Sequence, residues 1–297
     1  MAAGGGESMT IARFDPTRAS GDELRRSYVE SGYVLVRDLV DEVDRAEITR
    51  ELRRINRGDY SHSPIEGVIW RDPIEPVDWP EDDERLMGRH MYLGQPHVYS
   101  AVVRDAMTHA GICRVLDHVV GACVPFWDGA YKCMQSMFVV KPPGGAGSPW
   151  HQDEHPIPTR DRSLTGVWIA LADATVANGC LRILPDSHKS GVIYERYAHD
   201  LPDVDSNPVA RGFDDTGAIP VEMAAGSVLF FSGYLLHSSR KNRSDRYRPA
   251  LTFHYCSAST WLTWGGERNF RGVVQVRGED PYADLGYTTP QPWVKER

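Results

Sequence analysis

Cysteine is scarce, and the few cysteines present form no recognisable pair. Cys113, Cys123, Cys133, Cys180 and Cys256 make five in all, and none of them belongs to a Cys-x-x-Cys motif. An odd number of cysteines without that motif argues against a disulfide framework and against a thiolate zinc site. We therefore expect free thiols and a reducing compartment.

Long hydrophobic runs are also missing. The apolar stretches, such as residues 167–172 and 228–231, are far shorter than the about 20 residues that cross a bilayer as a helix. Residues 1–9 lack the basic and apolar regions of a signal peptide, and Ala2 stands where N-myristoylation requires glycine. These absences predict a soluble, cytoplasmic protein that does not contact membranes.

Lysine is rare as well, and the chain has no excess of positive charge. Lys and Arg total 33, of which only five are lysines, against 41 Asp and Glu, so the net charge is −8 at pH 7. A domain that binds duplex nucleic acid normally carries a basic stripe. This balance disfavours nucleic acid and leaves a small molecule as the expected partner. The sequence gives no indication of an oligomeric state.

What is present is an ordinary globular composition whose character changes near the middle of the chain. With 297 residues, 41% of them hydrophobic, the chain is able to bury a core without covalent staples. We expect a flexible tail over residues 1–20 and a single domain over residues 21–297. Helical patterns in that domain cover residues 22–31, 41–57 and 99–121.

The second half of the chain has the pattern of strands. Runs rich in β-branched and aromatic residues, bounded by turn residues, cover residues 131–141, 164–173, 226–233 and 248–256. Short strands without intervening helices favour an antiparallel sandwich or a double-sheet jelly roll. The expected fold class is therefore mainly β, with an N-terminal helical layer packed on the β core.

Residues 59–98 fit neither pattern. They contain five prolines, many acidic residues and several aromatic ones, Trp70 and Tyr92 among them. Long irregular segments inside a compact domain are uncommon unless they are lids or binding loops. We interpret this segment as a lid or substrate loop, with a surface excursion of no special function as the alternative.

The most informative short motif is Trp-His-Gln-Asp-Glu-His over residues 150–155. In a strand, His151 and Asp153 would point to the same face, because side chains alternate with period two. His237, a few residues after a strand pattern, is a candidate for a third ligand. Two histidines and one carboxylate with open positions beside them are typical of non-haem Fe(II) oxygenases. Alone, His-x-Asp is a weak signal, and a loop histidine beside a surface acid is the alternative.

A possible anion anchor follows the second histidine. Arg248 stands eleven residues after His237, at the start of a strand pattern. Ser239 stands two residues after His237. A guanidinium pairs bidentately with a carboxylate, and a hydroxyl donates to the same group. Arg246 and its neighbours are competitors, which we expect on the solvated turn before the strand.

In these strings the chain resembles the phytanoyl-CoA dioxygenase family of Fe(II)- and 2-oxoglutarate-dependent oxygenases. The resemblance runs from Tyr28 to Cys256. It includes YVESGYVLVRDLVD, MFVVKPPGG, WHQDEH, NGCLRILPDSHKSG and HSSRKNRSDRYRPALTFHY, in that order. The string with NGxLxxxPxSHKxG is highly specific, and we assign its Asn178 and Gly179 to a structural turn. The fold that the resemblance implies is a double-stranded β-helix (jelly roll, cupin-like) core flanked by helices.

Carried over by position, the resemblance implies the iron ligands and the cosubstrate anchors. His151, Asp153 and His237 would bind Fe(II). Arg248 and Ser239 would bind the distal carboxylate of 2-oxoglutarate. The residues that matter for this resemblance are spaced as HxD and then H-x-S-x8-R.

The same resemblance implies a lining for the cosubstrate pocket. Met137 and Trp168 match positions that line it, and Gln135 shares a strand face with Met137. His155 borders the substrate cavity if the strand that carries His151 continues to it. The alternative is that Pro156 ends the strand and turns His155 outward.

The chemistry implied is that of an Fe(II)- and 2-oxoglutarate-dependent dioxygenase that also consumes O₂. Oxidative decarboxylation of 2-oxoglutarate would give succinate and CO₂ and hydroxylate an unactivated C–H bond of a small molecule. Asp153 favours oxygen insertion over halogenation, because halogenases of this fold have a small residue there. Acyl-CoA-using members carry a basic cosubstrate-contacting residue upstream that we do not place in this sequence. The acidic balance and the scarcity of lysine disfavour a strongly anionic, carrier-linked substrate such as a CoA thioester, so a natural-product or amino-acid-like substrate is preferred.

Three other functions remain open at this point. The same cofactors also support desaturation, cyclisation or epimerisation. A zinc hydrolase would use the same three ligands but has no need of Arg248 and Ser239. A non-catalytic β-sandwich binding module is the alternative from another class, and the intact set of ligands counts against it.

Overall fold

Among the residues that the structure describes, four α-helices precede the long strands, in line with the change of composition. The computed structural model describes residues 11–59, 74–262, 272–279 and 281–282. No helix in those ranges is long and apolar enough to cross a membrane. The helices are α1 (Gly21–Ser31), α2 (Glu42–Arg57), α3 (Ala101–Met107) and α4 (Ala110–Val119), with short 3₁₀ helices at Glu84–Gly88 and Pro96–Val98.

The first two helices begin and end at residues suited to those positions. Ser20 caps α1 in a capping box with Glu23, and Gly32 ends it in the left-handed conformation. Asp41 caps α2 by accepting from the backbone of Asp44, and Gly58 ends that helix. The sequence therefore placed these two helices to within one residue.

The helix predicted over residues 99–121 is wrong, because two helices occupy that range. The backbone leaves the helical conformation at Thr108 and becomes extended at His109. The His109 side chain accepts a hydrogen bond from the backbone N–H of Ile112 and so caps α4. A histidine is an uncommon N-cap, which is why the pattern of apolar residues suggested one continuous helix.

The strands follow the predicted segments closely, and several short ones join them. Four of the strands lie within or across the segments predicted from the sequence, at Tyr131–Lys141, Thr165–Ala170, Val228–Ser232 and Arg248–Ser257. In the described residues the strands are β1 (Arg13–Phe14), β2 (Tyr33–Val36), β3 (Tyr92–Gly94), β4 (Tyr131–Lys141), β5 (Ser148–His151), β6 (Thr165–Ala170), β7 (Leu181–Ile183), β8 (Arg196–Tyr197), β9 (Val209–Ala210), β10 (Ile219–Val221), β11 (Val228–Ser232), β12 (His237–Ser239), β13 (Arg248–Ser257) and β14 (Val274–Arg277).

The strands form one large sheet and one small sheet. The large sheet has the order β1-β2-β11-β6-β13-β4-β14, with β3 also paired to β4. The small sheet has the order β10-β7-β12-β5, and β8 pairs with β9 separately. All of these pairs are antiparallel except β1 with β2. The chain is thus mainly β, with helices in its N-terminal part.

The large sheet has a helical side and a side that shares a core with the small sheet. On β13, Leu251 and Phe253 pack into the same apolar cluster as the four helices. Ala250, directly before Leu251 in the chain, packs instead with Ile183 and Val221 of the small sheet. Because side chains alternate along a strand, Arg248, Ala250, Thr252 and His254 face the small sheet. This inter-sheet side is where the predicted site residues gather.

Two regions depart from what the sequence suggested or lie partly outside the described residues. Residues 11–20 fell within the predicted tail, but Arg13–Phe14 forms a strand on β2 and Ser20 caps a helix. Of the predicted lid at 59–98, residues 60–73 with Trp70 lie outside the described residues. Tyr92 belongs to a strand that pairs with β4.

A glycine and a histidine join the end of α1 to the loop after β7. Gly32 has φ of +83°, and a Cβ on it would lie 2.6 Å from Nδ1 of the buried His188 ring. The Nε2 atom of His188 is 2.9 Å from the carbonyl oxygen of Val29 in α1. His188 belongs to the SHK part of the most specific string in the sequence, so that string secures the packing of the helical layer.

We predict that Gly32→Ala destabilises the protein more than Gly144→Ala. Gly144 also has a positive φ, +75°, but nothing lies within 4 Å of the Cβ position there. Both variants bear the cost of a left-handed alanine, about 1–2 kcal/mol. Only Gly32→Ala adds a collision with the His188 ring. Chemical denaturation of both variants measures the difference, and equal losses of unfolding free energy would contradict the assigned contact.

Candidate active site

Three of the predicted residues come together at one end of the small sheet. His151 is the last residue of β5, His237 is the first residue of β12, and the two are Cα partners in the antiparallel pair. The Oδ1 atom of Asp153 lies 3.7 Å from Nε2 of His151 and 3.6 Å from Nε2 of His237. In the described residues this is the only group of three or more His, Cys, Asp and Glu side chains whose ligand atoms lie within 4.8 Å of one another.

The sequence analysis placed both His151 and Asp153 on one strand, but only His151 lies on a strand. β5 ends at His151, and Asp153 lies on the turn that follows. Gln152, between them, is buried and its Nε2 donates to the carbonyl oxygens of Val192 and Tyr234. This anchored amide fixes the turn, so Asp153 returns to the side of His151 without a continued strand.

The two imidazoles have their metal-binding nitrogens free. The Nδ1 atom of His151 donates to the carbonyl oxygen of Pro149 at 2.9 Å, and that of His237 donates to Leu235 at 3.0 Å. A carbonyl accepts only, so each ring carries its proton on Nδ1 and directs a lone pair from Nε2 toward Asp153. Both rings are thereby oriented for a shared ligand.

The charges at this group also suit a cation. Burial by itself would raise the pKa of Asp153, but His237 and His254 hold that pKa well below its ordinary value. Burial lowers the pKa of His151 to about 4, with His237 adding to the effect. The ionised form of Asp153 is the one that binds a metal ion. Two imidazoles and one carboxylate with open space beside them are the donor set of a facial Fe(II) site.

A second group of residues lies farther along the same inter-sheet side. Arg248 is 1% exposed, and its Nε and Nη1 atoms have no hydrogen-bond partner in the described part of the chain. Its guanidinium carbon lies 5.1 Å from the centre of the Trp168 ring, within range of a cation–π contact. The competitor Arg246 is exposed on the turn before β13, as the sequence predicted.

Lys141 adds a second buried cation directly across from Arg248. The two residues are Cα partners on β4 and β13. The Nζ atom of Lys141 donates to Oγ of Ser239 at 2.8 Å and to the carbonyl oxygen of Arg240 at 2.6 Å. Within the described residues neither Lys141 nor Arg248 forms an ion pair with a carboxylate. Two buried basic side chains side by side, whose charged forms are costly to desolvate, call for an anion.

Ser239 is left with one hydrogen-bonding function toward that anion. Its oxygen accepts from Lys141 and also from the backbone N–H of Ser148 at 3.1 Å. A hydroxyl has two acceptor sites and one proton, so the proton of Ser239 remains to be donated. The hydroxyl, the lysine amine and the guanidinium together could hold a carboxylate.

The remaining predicted residues have the following places. Gln135 and Met137 lie half-buried on β4, and their Cα partners on β13 are His254 and Thr252. Both share the strand face of Lys141 by alternation. His155 is half-buried on the turn after β5, which ends at His151, so neither a continued strand nor a strand ended by Pro156 describes its position.

Lys141 and His254 were missed by the sequence analysis. The Nε2 atom of His254 lies 3.0 Å from Oδ2 of Asp153, and His254 is 6% exposed. Both residues stand at even spacing from predicted site residues, Lys141 from Met137 and His254 from Arg248. Period two along a buried strand was therefore the signal that pointed to them.

Comparison with known proteins places this site in a family. The sequence profile of the phytanoyl-CoA dioxygenase (PhyH) family matches residues 28–250. The chain belongs to the phytanoyl-CoA dioxygenase family. This confirms the resemblance inferred from the sequence strings, and the matched region contains all three metal-ligand candidates and Arg248.

Individual members of the phytanoyl-CoA dioxygenase family resemble the chain to different extents. A phytanoyl-CoA dioxygenase of Arabidopsis thaliana is 37% identical over 122 residues, which are 41% of this chain and 43% of that protein. The peroxisomal phytanoyl-CoA dioxygenase of Bos taurus is 26% identical over 250 residues, 80% of this chain and 68% of that protein. The match thus spans less than half the length of the plant relative.

A solved structure supports the fold assignment. The epimerase SnoN, in complex with Fe³⁺, alpha-ketoglutarate and nogalamycin RO, superimposes with a TM-score of 0.59 at 19% sequence identity. The alignment covers 82% of this chain and 85% of that chain. At this level of identity the likeness concerns the arrangement of the helices and the two sheets.

We predict that Arg248→Ala weakens 2-oxoglutarate binding by about 30-fold to several thousand-fold, because removing one partner of a buried charge pair costs about 2–5 kcal/mol. Arg248→Lys should recover only part of the affinity, since an ammonium lacks the planar fork. The matched control is Arg246→Ala, which should change the affinity by less than about threefold. Titration of the Fe(II) protein with 2-oxoglutarate under argon measures all three variants, and an effect at Arg246 alone would contradict the strand register.

We also predict that 2-oxoglutarate binds more weakly as the pH rises above about 6, by at most about tenfold per pH unit. Burial and the neighbouring Arg248 lower the pKa of Lys141 to about 6, so the free protein loses this positive charge above that pH. An anion beside Lys141 favours the charged form, and binding therefore takes up a proton. Lys141→Met should flatten the pH dependence, whereas the exposed Lys189→Met should leave it unchanged. A slope retained in Lys141→Met would assign the effect to another group.

Proposed function

We propose that the protein is an Fe(II)- and 2-oxoglutarate-dependent dioxygenase that hydroxylates an unactivated C–H bond of a small molecule. The observation that carries the proposal is the pairing of two sites on one inter-sheet side. One is the group of His151, Asp153 and His237. The other is the buried guanidinium of Arg248, which lies beside Lys141 and whose Nε and Nη1 atoms have no hydrogen-bond partner among the described residues. A metal site and an adjacent carboxylate site are what this pair of cofactors requires.

The residues present fit both cofactors. His151, Asp153 and His237 would hold Fe(II) from one side, through two imidazole nitrogens and one carboxylate oxygen. Arg248 and Ser239 would bind the distal carboxylate of 2-oxoglutarate, and Lys141 would orient the Ser239 hydroxyl. Bound together with O₂, these cofactors supply an oxidant strong enough to cleave a C–H bond, with succinate and CO₂ as co-products.

The protein itself contributes position and exclusion of water. Trp168 covers one face of the Arg248 guanidinium, and we propose that Met137 and Gln135 line the remainder of the cosubstrate pocket. Phe231 packs its ring 4.9 Å from that of His237, which shields this ligand from solvent. A closed apolar surrounding strengthens the charge interactions of the site and limits side reactions of the oxidant.

The finer features of the protein belong to the same proposal. We assign the two sheets to a jelly-roll core of the double-stranded β-helix type, with helices α1 to α4 on one side. Residues 59–98 are proposed as a lid or substrate loop, and His155 as a residue at the border of the substrate cavity. Five free cysteines are compatible with a reducing location such as the cytoplasm.

The buried cations weigh against two of the alternatives. A zinc hydrolase and a non-catalytic binding module do not require the buried basic side chains of Lys141 and Arg248. Their charged forms are costly to bury without an anion. Epimerisation is the function named for SnoN, so a rearranged product is the second candidate outcome with the same cofactors. Product analysis distinguishes hydroxylation from it by a mass increase of one oxygen atom.

We predict that anaerobic addition of 2-oxoglutarate to the Fe(II) protein produces a weak visible charge-transfer band, and that Asp153→Ala abolishes both the band and turnover. Without Asp153, two imidazoles alone hold Fe(II) weakly. The control is Asp245→Ala, which changes an exposed aspartate on the turn before β13. Turnover of Asp153→Ala within about threefold of the unmodified protein would contradict the ligand assignment. Even the loss of a residue that only contacts a metal ligand typically lowers metal affinity or activity by about 10–100-fold.

A further inference from the structure

A third histidine contacts the metal-ligand group from the large sheet. His254 lies near the end of β13 on the same face as Arg248, and only 6% of its surface is exposed. Its Nε2 atom is 3.0 Å from Oδ2 of Asp153. A carboxylate that is ionised accepts only, so Nε2 of His254 carries the proton and donates it to Asp153.

This hydrogen bond makes the two oxygens of Asp153 different. Oδ1 lies 3.6 to 3.7 Å from the Nε2 atoms of His237 and His151, which have their lone pairs directed toward it. Oδ2 accepts from His254. One carboxylate oxygen is therefore available to a metal ion beside the imidazoles, and the other is engaged by His254.

Among the described residues, the His254 ring forms no second hydrogen bond that would assign it a different role. Its Nδ1 atom is buried and has no partner in the part of the chain that the structure describes. Burying a polar nitrogen in this way is unfavourable, and a leucine or phenylalanine would fill the same space without that cost. The contact with Asp153 is the feature that accounts for a histidine at this position.

We infer that His254 is a positioning residue that keeps Asp153 a monodentate ligand and thereby preserves the open positions of the metal. The inference rests on the proposed function. A facial site with three protein ligands leaves three positions for other ligands. Chelation by 2-oxoglutarate takes two of them, and O₂ needs the third. A carboxylate that turned both oxygens to the metal would occupy one of these positions.

The placement of His254 on β13 connects this control to the cosubstrate anchor. Arg248 begins the strand and His254 follows six residues later on the same face, with Ala250 and Thr252 between them. One strand thus presents the group for the distal end of 2-oxoglutarate and the group that orients the iron carboxylate. A shift of β13 would disturb both together.

The test uses His254→Leu, which removes the donor, and His254→Gln, whose amide nitrogen reaches the place of Nε2. His188→Leu is the matched control, because His188 is also buried, has a bonded Nε2 and has an Nδ1 without a partner in the described residues. Binding of Mn(II) and of 2-oxoglutarate is measured for all variants, together with thermal unfolding. Crystal structures of the Mn(II)-loaded proteins show directly how many oxygens of Asp153 bind the metal.

We expect His254→Leu to weaken 2-oxoglutarate binding by about 10-fold or more, because a second Asp153 oxygen on the metal would occupy a position that 2-oxoglutarate needs, while Mn(II) binding changes less. The crystal structures should show one bonded oxygen of Asp153 in the unmodified protein and two in His254→Leu. His254→Gln should restore monodentate binding and most of the affinity. His188→Leu should lower the unfolding temperature and leave both affinities unchanged.

Equal losses of Mn(II) and 2-oxoglutarate affinity in His254→Leu, or a loss no larger than that of His188→Leu, would overturn the inference. If His254→Leu does not fold, His254→Gln is compared with His254→Asn, whose shorter amide does not reach Asp153. Failure of the unmodified protein to bind 2-oxoglutarate would overturn the proposed function instead. The number of Asp153 oxygens on Mn(II) would still decide the role of His254 in that case.

Discussion

Two buried basic side chains that form no ion pair with a carboxylate of the described residues are the constraint on which the rest of this structure depends. Arg248 and Lys141 face each other across β13 and β4, where burial opposes the charge of both side chains. A protein interior tolerates such a pair only when an anion or a set of acceptors balances it. Lys141 has its acceptors, in Ser239 and the carbonyl oxygen of Arg240, but the Nε and Nη1 atoms of Arg248 have none in the described residues. Under the proposed function, the carboxylate of 2-oxoglutarate supplies the acceptors that Arg248 lacks.

The sequence predicted the site residues better than it predicted the reasons for their positions. Arg248 was separated from Arg246 because a strand pattern begins at the former, and the structure buries one and exposes the other. His151 and Asp153 do lie together, but a turn anchored by Gln152 brings the carboxylate back. Hydrogen bonds between distant segments fix that turn, and single-sequence periodicity does not contain them.

Lys141 and His254 show a second reason why part of the site was missed. Each lies in a strand that reads as apolar, and each acquires its role from a partner about a hundred residues away in the chain. Lys141 contacts Ser239, and His254 contacts Asp153. The helices show the converse case, because the caps at Ser20 and Asp41 are local signals and both helices were predicted to within one residue. Local signals were sufficient for elements, whereas the pairing of charges depended on topology.

The string that is most specific to the family concerns packing more than chemistry. The Asn178 side chain closes its turn through Thr175 and Asp173. A Cβ at Gly179 would lie 2.4 Å from the carbonyl oxygen of Arg240, the same oxygen that accepts from Lys141. The string thus identifies the fold, and its Gly179 leaves room for the carbonyl oxygen that holds Lys141. It contains no information about the substrate, which explains why family and cofactors were readable while the substrate was not.

The irregular pairing of β5 with β12 has a consequence for how this chain tolerates change. His237 pairs with His151, but Ser239 pairs with Ser148, so two steps along one strand correspond to three along the other. The extra residue allows the backbone N–H of Ser148 to reach the Ser239 hydroxyl while the imidazoles remain opposite each other. A one-residue deletion in either strand would reverse the faces of all side chains beyond it. The length of these two short segments is therefore under tighter constraint than the identity of the residues between the ligands, and natural variation there should take the form of substitutions rather than insertions or deletions.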